Sequence, residues 1–344
     1  MIDYSNAQIV KVVIHVVGNK SKDEQLILAD QVAIIDDDAT KQYVKEYFFS
    51  SFNFEVRYHF THETDVNLNE LYAYCTKLFH KPESLVEESA SIAKHLYSVS
   101  THPNIKKGEL YIALIQNCII DGKPTNAIGI FKSENKNFYL NINSINKHFS
   151  ISSNSGINPK RLDKGCLIFD CGSKQPELVY IVDTNHNDTM YWKDDFLKVV
   201  ETETSYKSTS SFMNLCKRYV FQLPDTDKSS KISIINNSVH YFETHDTFIP
   251  EEFAEESGMN TKHLQSFQTF LSDNKYPSGL KAQFEISKRA VSTAKRTIKS
   301  MIKLDSDIEI KIPTKIGSVD EIIENGYDPQ KELHYYKIYY KTEK

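Results

Sequence analysis

The chain has 344 residues, of which 40% are hydrophobic and 25% are charged. This composition is that of a globular protein with room for two domains, and it excludes collagen-like, disordered and disulfide-scaffold classes. No apolar run reaches the roughly 18–20 residues that cross a membrane, so we expect no membrane contact. The first six residues lack a secretory signal, and the five cysteines are an odd number without a C-x-x-C pair. Both features favour a cytoplasmic protein with reduced thiols.

Apolar periodicity predicts strands and helices along the first two thirds of the chain. The predicted strands cover residues 9–17, 109–120, 127–132, 137–142, 166–170 and 178–183. The predicted helices cover residues 40–49, 68–79, 84–99 and 210–221. Three aspartates, Asp36 to Asp38, precede the first helix, where negative charge is favoured by the helix dipole. Because the strands are short and joined by turn sequences such as Asp121-Gly122, we expect an antiparallel meander sheet with packed helices, which is an α+β fold.

The segment 223–231 is polar and contains proline and serine, which is typical of a linker. We therefore expect an N-terminal α+β domain over residues 1–224 and a smaller C-terminal α+β domain over residues 225–344. The second domain is predicted to be largely helical and to end in short strands. Its predicted helices cover 250–257 and 261–273, its strands cover 308–313 and 332–340, and a short helix or turn covers 319–325.

Positive charge is concentrated in one segment of an acid-rich chain. Lysine and arginine total 41 against 46 acidic residues, which gives a net charge of −5. Between residues 288 and 303 there are six basic residues and no acidic one, so the rest of the chain carries a net charge of −11. The six basic residues are Lys288, Arg289, Lys295, Arg296, Lys299 and Lys303.

The spacing of these residues predicts one amphipathic helix over 288–303. At 100° per residue the six cations share one arc of the helix, and the apolar residues share another. The apolar residues are Ala290, Val291, Ala294, Ile298, Met301 and Ile302. Ser287 is a suitable N-cap, and the polar residues 304–307 are a suitable stop.

A basic arc has two interpretations: a solvated lysine-rich face, or a binding surface for an anionic partner. No glutamate is interspersed among the cations, as the i,i+4 pairs of a solubilising face would require. The apolar arc lacks the Trp, Phe and Leu of a membrane-surface helix, so phosphodiester backbone is the better match.

Catalytic signatures are missing from the sequence. Glycine-rich phosphate loops, H-E-x-x-H and G-x-S-x-G do not occur, so we expect no enzyme, no catalytic residue and no cofactor. His59 and His62 would lie together only on a helix, and a metal-dependent hydrolase is the least favoured function, with no metal expected. Trp192 could stack on a base, but a core position is the favoured interpretation.

Several segments resemble the bacterial family of nucleoid-associated proteins often called NdpA. The matching segments are AKHLYSVSTHPNIKKGELYIALI (93–115), AIGIFKSENK (127–136), LDKGCLIF (162–169), YWKDDFL (191–197), FEISKRAV (284–291), IKLDSDIEIKI (302–312) and YYKIYY (335–340). The resemblance implies a nucleoid-located, DNA-associated protein that acts with chromosome-handling enzymes such as a topoisomerase. It supplies no role for any single residue.

These observations favour a cytoplasmic, nucleoid-associated protein that contacts the phosphates of double-stranded DNA non-specifically through the six cations of the 288–303 helix. The alternative is a protein-interaction adaptor, in which the same cations meet an acidic DNA-processing enzyme such as a topoisomerase. The sequence leaves open whether the chain forms a homo-oligomer.

Overall fold

The computed structural model describes residues 2–145, 148–170, 172, 178–184, 191–224, 226–274, 283–298, 301–305, 307–312 and 322–342. Tertiary contacts divide the chain into an N-terminal unit, Met1–Thr202, and a C-terminal unit, Glu203–Lys344.

The N-terminal unit is built on an antiparallel sheet. Its described strands are β1 (Ile2–Asp3), β2 (Gln8–Val17), β3 (Leu26–Ile27), β4 (Tyr58–Phe60), β5 (Gly108–Ile120), β6 (Lys123–Ser133), β7 (Asn137–Ile145), β8 (His148–Gly156), β9 (Lys164–Phe169), β10 (Leu178–Asp183) and β11 (Val199–Glu201). Within the described residues, all of these except β7 and β8 form one sheet in the order β11–β4–β10–β9–β6–β5–β2–β3, with β1 beside β5. The central strands β5, β6, β9 and β10 pair in sequence order, which confirms the predicted antiparallel meander and the α+β class.

Helices cover the sheet, whose two faces bury separate cores. The helices are α1 (Asp38–Phe49), α2 (Glu70–His80) and α3 (Leu85–Val99), with short 3-10 helices at Lys20–Lys22, Val66–Leu68 and Pro82–Ser84. Strand β5 contributes apolar residues to both faces of the sheet, since successive residues of a strand point to opposite sides. Leu110 and Ile112 join the core beneath α2 and α3, whereas Ala113 and Ile115 join the core beneath α1. At the start of α1 the Asp37 carboxylate accepts a hydrogen bond from the Thr40 N–H at 2.7 Å. The helix begins at Asp38, two residues before the predicted start, so Asp38 lies in its first turn.

The single tryptophan is a core residue, as expected. Trp192 lies in a π-helix, Tyr191–Leu197, and is fully buried. Its indole N–H donates to the carbonyl oxygen of Gly165 at 3.3 Å, so its one polar atom is satisfied inside the protein. A base-stacking role for this side chain is therefore wrong.

A buried polar network joins four of the segments that carry the family resemblance. The Lys132 ammonium, with no exposed side-chain surface, donates to the Glu134 carboxylate at 2.9 Å and to the Lys106 carbonyl oxygen at 2.7 Å. The Tyr191 hydroxyl donates to the same carboxylate at 3.1 Å. Asp163 accepts the backbone N–H groups of Glu134 and Asn135 at 2.7 and 2.9 Å. Burial lowers the pKa of Lys132, and the adjacent carboxylate opposes that shift. We interpret this network as architectural, because its charged atoms are paired within the fold.

Strands β7 and β8 form a hairpin, which we call the arm (residues 137–156). They pair with each other and with no other described strand. The strand predicted over 137–142 is confirmed by β7, but β8 was not predicted. Its sequence, HFSISSNSG, is rich in serine and has one branched apolar residue, so it lacks the composition typical of a strand.

The C-terminal unit is mainly helical, as expected. Its described helices are α4 (Ser205–Gln222), α5 (Lys228–Thr244), α6 (Pro250–Glu256), α7 (Thr261–Asp273) and α8 (Lys288–Thr297). Its described strands form three separate pairs: β12 (Thr247–Phe248) and β13 (Phe284–Glu285), β14 (Met301–Lys303) and β15 (Glu309–Lys311), and β16 (Ile323–Asp328) and β17 (Leu333–Ile338). Five phenylalanines, at positions 212, 242, 248, 253 and 267, are fully buried in its main core. A smaller cluster around Ile302 and Ile312 lies under the C-terminal strands.

The segment predicted as a linker contains the start of a helix. Asp227 is the N-cap of α5, and its carboxylate accepts the Ser230 N–H at 3.0 Å. Aspartate and serine are favoured at caps as well as in loops, which is why composition alone suggested a linker here. Helices α4 and α5 pack on each other. The domain boundary after residue 224 stays a prediction.

The predicted helix over 288–303 is too long. Helix α8 ends at Thr297, because the next residue, Ile298, adopts extended backbone angles. Residues 301–303 form strand β14, in which Ile302 is fully buried beside Ile312 and Ile323. Ile302 therefore belongs to a strand, although its spacing in the sequence is that of an apolar helix face. The helix or turn predicted over 319–325 is also wrong for residues 323–325, which begin β16, while residues 319–321 lie outside the described part.

We predict that replacing Lys132 by methionine destabilises the N-terminal unit by about 3–5 kcal/mol, because the buried Glu134 carboxylate loses the ammonium group that balances its charge. The double variant Lys132→Met/Glu134→Gln should recover at least about 1 kcal/mol of this loss. Urea unfolding of the full chain, followed by the fluorescence of the single Trp192, measures both values. A loss below about 1 kcal/mol in the single variant would contradict the assigned charge pairing.

A second prediction concerns His15, which is buried and neutral. Its Nδ1 accepts the Ala29 N–H at 3.0 Å, so its Nε2 carries the proton and donates to the Ser89 hydroxyl at 3.0 Å. Burial lowers the pKa of His15 to about 4. Below pH ~6.5 the imidazole of the unfolded chain binds a proton, whereas the buried imidazole of the folded chain stays neutral. The free energy of unfolding therefore falls as the pH falls toward 4.

Between pH 7 and pH 4.5, wild type should lose about 2–3 kcal/mol more unfolding free energy than the variant His15→Gln. The same Trp192 fluorescence reports the transition, and equal losses in the two proteins would show that His15 is not the responsible group.

Candidate nucleic-acid interface

Helix α8 has one buried side and one polar side. The Ser287 hydroxyl caps its start by accepting the Ala290 N–H at 3.4 Å, as predicted. Ala290, Val291 and Ala294 are buried, and α8 packs on both α4 and α5. Because these three residues recur at helical spacing, their burial directs the basic residues of α8 away from the core.

The structure brings four of the six predicted site residues onto this helix. Lys288, Arg289 and Arg296 are exposed, and Lys295 is partly buried. Lys303 is exposed on β14 and is therefore not part of the helix face. Lys299 lies outside the described residues.

Two carboxylates lie against the cations of α8. The Lys288 ammonium is 3.1 Å from the Asp246 carboxylate and donates to the carbonyl oxygen of Glu243 at 3.1 Å. The Lys295 ammonium is paired with the carboxylate of Glu243. Sequence reasoning could not find these partners, because Glu243 lies 52 residues before Lys295 and meets it only through the packing of α5 on α8. Lys303 has a local partner, Asp307, at 3.6 Å.

A further cation on α4 joins this surface. The Lys217 ammonium donates to the carbonyl oxygen of Thr297 at 2.9 Å and so lies at the C-terminal end of α8. A cation at this position is favoured by the negative end of the helix dipole. We define the basic face as Lys217, Lys288, Arg289, Lys295 and Arg296. Helix α8 contributes four of these cations and contains no acidic residue.

The histidines considered as metal ligands have separate partners. His59 lies on β4 and its Nδ1 is 2.9 Å from the Thr202 hydroxyl, whereas the His62 Nδ1 accepts the Thr64 N–H at 3.3 Å. His62 and two aspartates, Asp194 and Asp195, line an open cleft of about 770 Å³. Among the described residues, no group of three or more His, Cys, Asp or Glu side chains is arranged to hold a metal ion.

In the part of the chain that the structure describes, no helix combines the length and apolar character that a membrane span requires. Comparison with curated proteins finds no significant match. The model of the family described as nucleoid-associated protein YejK matches residues 13–331. Since that match includes both units and nearly the whole sequence, the chain belongs to this family of bacterial nucleoid-associated proteins.

Proposed function

We propose that the chain binds duplex DNA non-specifically, with the basic face contacting phosphates. The observation that carries this proposal is the surplus of positive charge on α8 and α4, in a protein whose net charge is −5. Membership of a nucleoid-associated family supports the choice of DNA as the polyanion. Lys299 and Lys303 stay predicted contacts in addition to the basic face.

Binding requires Lys288 and Lys295 to exchange carboxylate partners for phosphate oxygens. The Lys288–Asp246 pair is exposed, and such pairs contribute only about 0–1 kcal/mol, so its exchange costs little. The Lys295–Glu243 pair is partly buried and therefore costs more to separate. Arg296 is exposed, and a guanidinium can bind a phosphate through two parallel hydrogen bonds. Neutralising phosphates releases condensed counterions, which provides affinity without sequence readout.

The acidic remainder of the protein limits the contact to one face. With about four phosphates neutralised, the plot of log K against log salt should have a slope of about −3 to −4. The same acidic surface disfavours wrapping of DNA around the protein, since other faces repel phosphates.

Charge reversal on the basic face tests the proposal. We expect Lys295→Glu/Arg296→Glu to weaken duplex binding by about a hundredfold at low salt, and to reduce the magnitude of the salt slope by about 2. Fluorescence anisotropy of a labelled random-sequence duplex at several salt concentrations measures both quantities. The matched control is Lys20→Glu/Lys22→Glu, which makes the same change in net charge at two exposed lysines of the N-terminal unit.

The control should lose less than about threefold in affinity, because long-range charge effects are screened. Equal losses in the two variants would mean that net charge alone, and not the basic face, determines binding. Undiminished affinity in Lys295→Glu/Arg296→Glu would remove the basic face as the DNA contact.

Removing the Glu243 carboxylate, which contacts the basic face, should change DNA affinity in the opposite direction. Glu243→Gln removes the negative charge paired with Lys295, so we expect duplex affinity to rise by about three- to tenfold at low salt. The matched control is Glu87→Gln, an exposed glutamate on α3, which should leave affinity within about twofold of wild type. Unchanged or weaker binding by Glu243→Gln would contradict the location of the DNA contact.

A protein-interaction adaptor is the second candidate function. The observation that favours it is that Lys288 and Lys295 already hold carboxylates in the free protein, so an acidic protein surface could replace them in the same geometry. A DNA-processing enzyme such as a topoisomerase would be a partner of this kind. Capture of such an enzyme that survives nuclease treatment, together with no binding of naked duplex, would favour the adaptor over the DNA contact.

A further inference from the structure

The arm carries a continuous apolar face that is exposed to solvent. Five of its large side chains, Phe138, Leu140, Ile142, Phe149 and Ile151, are each at least 70% exposed. Beyond isolated contacts, the other described elements do not pack on β7 or β8. An apolar face of this kind on a two-stranded hairpin is unusual, because such a hairpin is marginally stable in water without a packing partner.

The strand register places all five side chains on the same side of the arm. Ile142 is directly opposite Ile151, and residues two positions apart share a face. The other three large residues each have a serine as cross-strand partner: Phe138 with Ser155, Leu140 with Ser153, and Phe149 with Ser144. The large side chains follow one another along β7, and the serines opposite Phe138 and Leu140 leave the β8 side of the face lower there, so large side chains of a facing surface have room over these serines. The opposite side of the arm is mainly polar: it carries four asparagines and two serines beside Tyr139 and His148.

The size of this face is sufficient for a specific interface. Five side chains at these exposures present roughly 600–700 Å² of surface, which approaches the ~800 Å² that each partner buries in a standard protein interface. Exposed apolar patches of more than a few hundred Å² are characteristic of interaction sites.

Charge determines which partner fits. Residues 137–156 contain one lysine, Lys147, one histidine and no acidic residue. A nearly uncharged arm lacks the cations that DNA or an anionic membrane would require. A second copy of the arm meets it without like-charge repulsion, although the whole chain carries −5. The large side chains of a second copy can also pack over the serines that lie opposite Phe138 and Leu140.

We propose that the apolar face of the arm packs on the same face of a second copy of this chain to form a two-fold dimer. In such a contact each arm contributes the same residues, so the interface closes at two subunits. The two hairpins then form a small sandwich with Ile142 and Ile151 near its centre, and the polar asparagine and serine faces point outward.

Neighbouring register pairs provide a test variant and a matched control. Ile142→Lys/Ile151→Lys places two charges in the centre of the apolar face, and Asn143→Lys/Ser150→Lys places the same two charges one register position away on the polar face. Sedimentation equilibrium of the full chain across a concentration series measures the mass and the dimer Kd. Wild type and the polar-face variant should have twice the 39.7 kDa chain mass at micromolar concentration.

The apolar-face variant should sediment as the 39.7 kDa monomer, with a dimer Kd raised by about a hundredfold or more. Its near-ultraviolet circular dichroism should match wild type, because the arm lies outside both sheet cores. A monomeric wild type overturns the proposal, and the apolar face of the arm would then be a binding site for a different protein. A dimer that persists in the apolar-face variant, or that is lost equally in both variants, also overturns it. The measurement contains no DNA, so its outcome is independent of the proposed DNA contact.

Discussion

The exposure of the basic residues of α8 depends on the burial of Ala290, Val291 and Ala294 against α4 and α5. With one side of α8 fixed in the core, the basic side chains that alternate with these residues must project outward. Two features of the same packing then adjust the charge. Helix α5 brings Glu243 to Lys295, and α4 brings Lys217 to the end of α8. The basic face is therefore a property of three packed helices, with a smaller surplus of charge than the sequence of α8 alone suggests.

A basic face whose charge is partly balanced by carboxylates is suited to binding DNA without sequence preference. Phosphates can displace the carboxylates from Lys288 and Lys295, and this competition lowers the affinity for DNA. If the arm forms a dimer, each assembly carries two basic faces, and two weak contacts joined in one particle bind a long polyanion more tightly than either alone. Neither proposal needs the other to hold. Together they describe a protein that could link separate DNA contacts in the nucleoid.

Sequence reasoning succeeded where periodicity and local chemistry determine structure. The strands of the meander, the helix beside the three aspartates at 36–38 and the start of α8 after Ser287 all follow from patterns within a few residues. It failed where distant parts of the chain decide the outcome. Ile302 has the spacing of a helix face but is buried by Ile312 and Ile323 in a strand pair. The partners of Lys288 and Lys295 come from α5 and the residues just after it, and Lys217 comes from α4, so no local pattern in the basic segment could reveal them.

The central claim is that the cations of α8 contact DNA, and lysine footprinting tests it most directly. The full chain is acetylated briefly with and without saturating duplex, and the extent of modification at each lysine is read by mass spectrometry. The account predicts that duplex protects Lys217, Lys288 and Lys295, while Lys20 and Lys22 in the N-terminal unit react equally in both samples. Protection confined to other lysines, with those of α8 reacting as in the free protein, would contradict it.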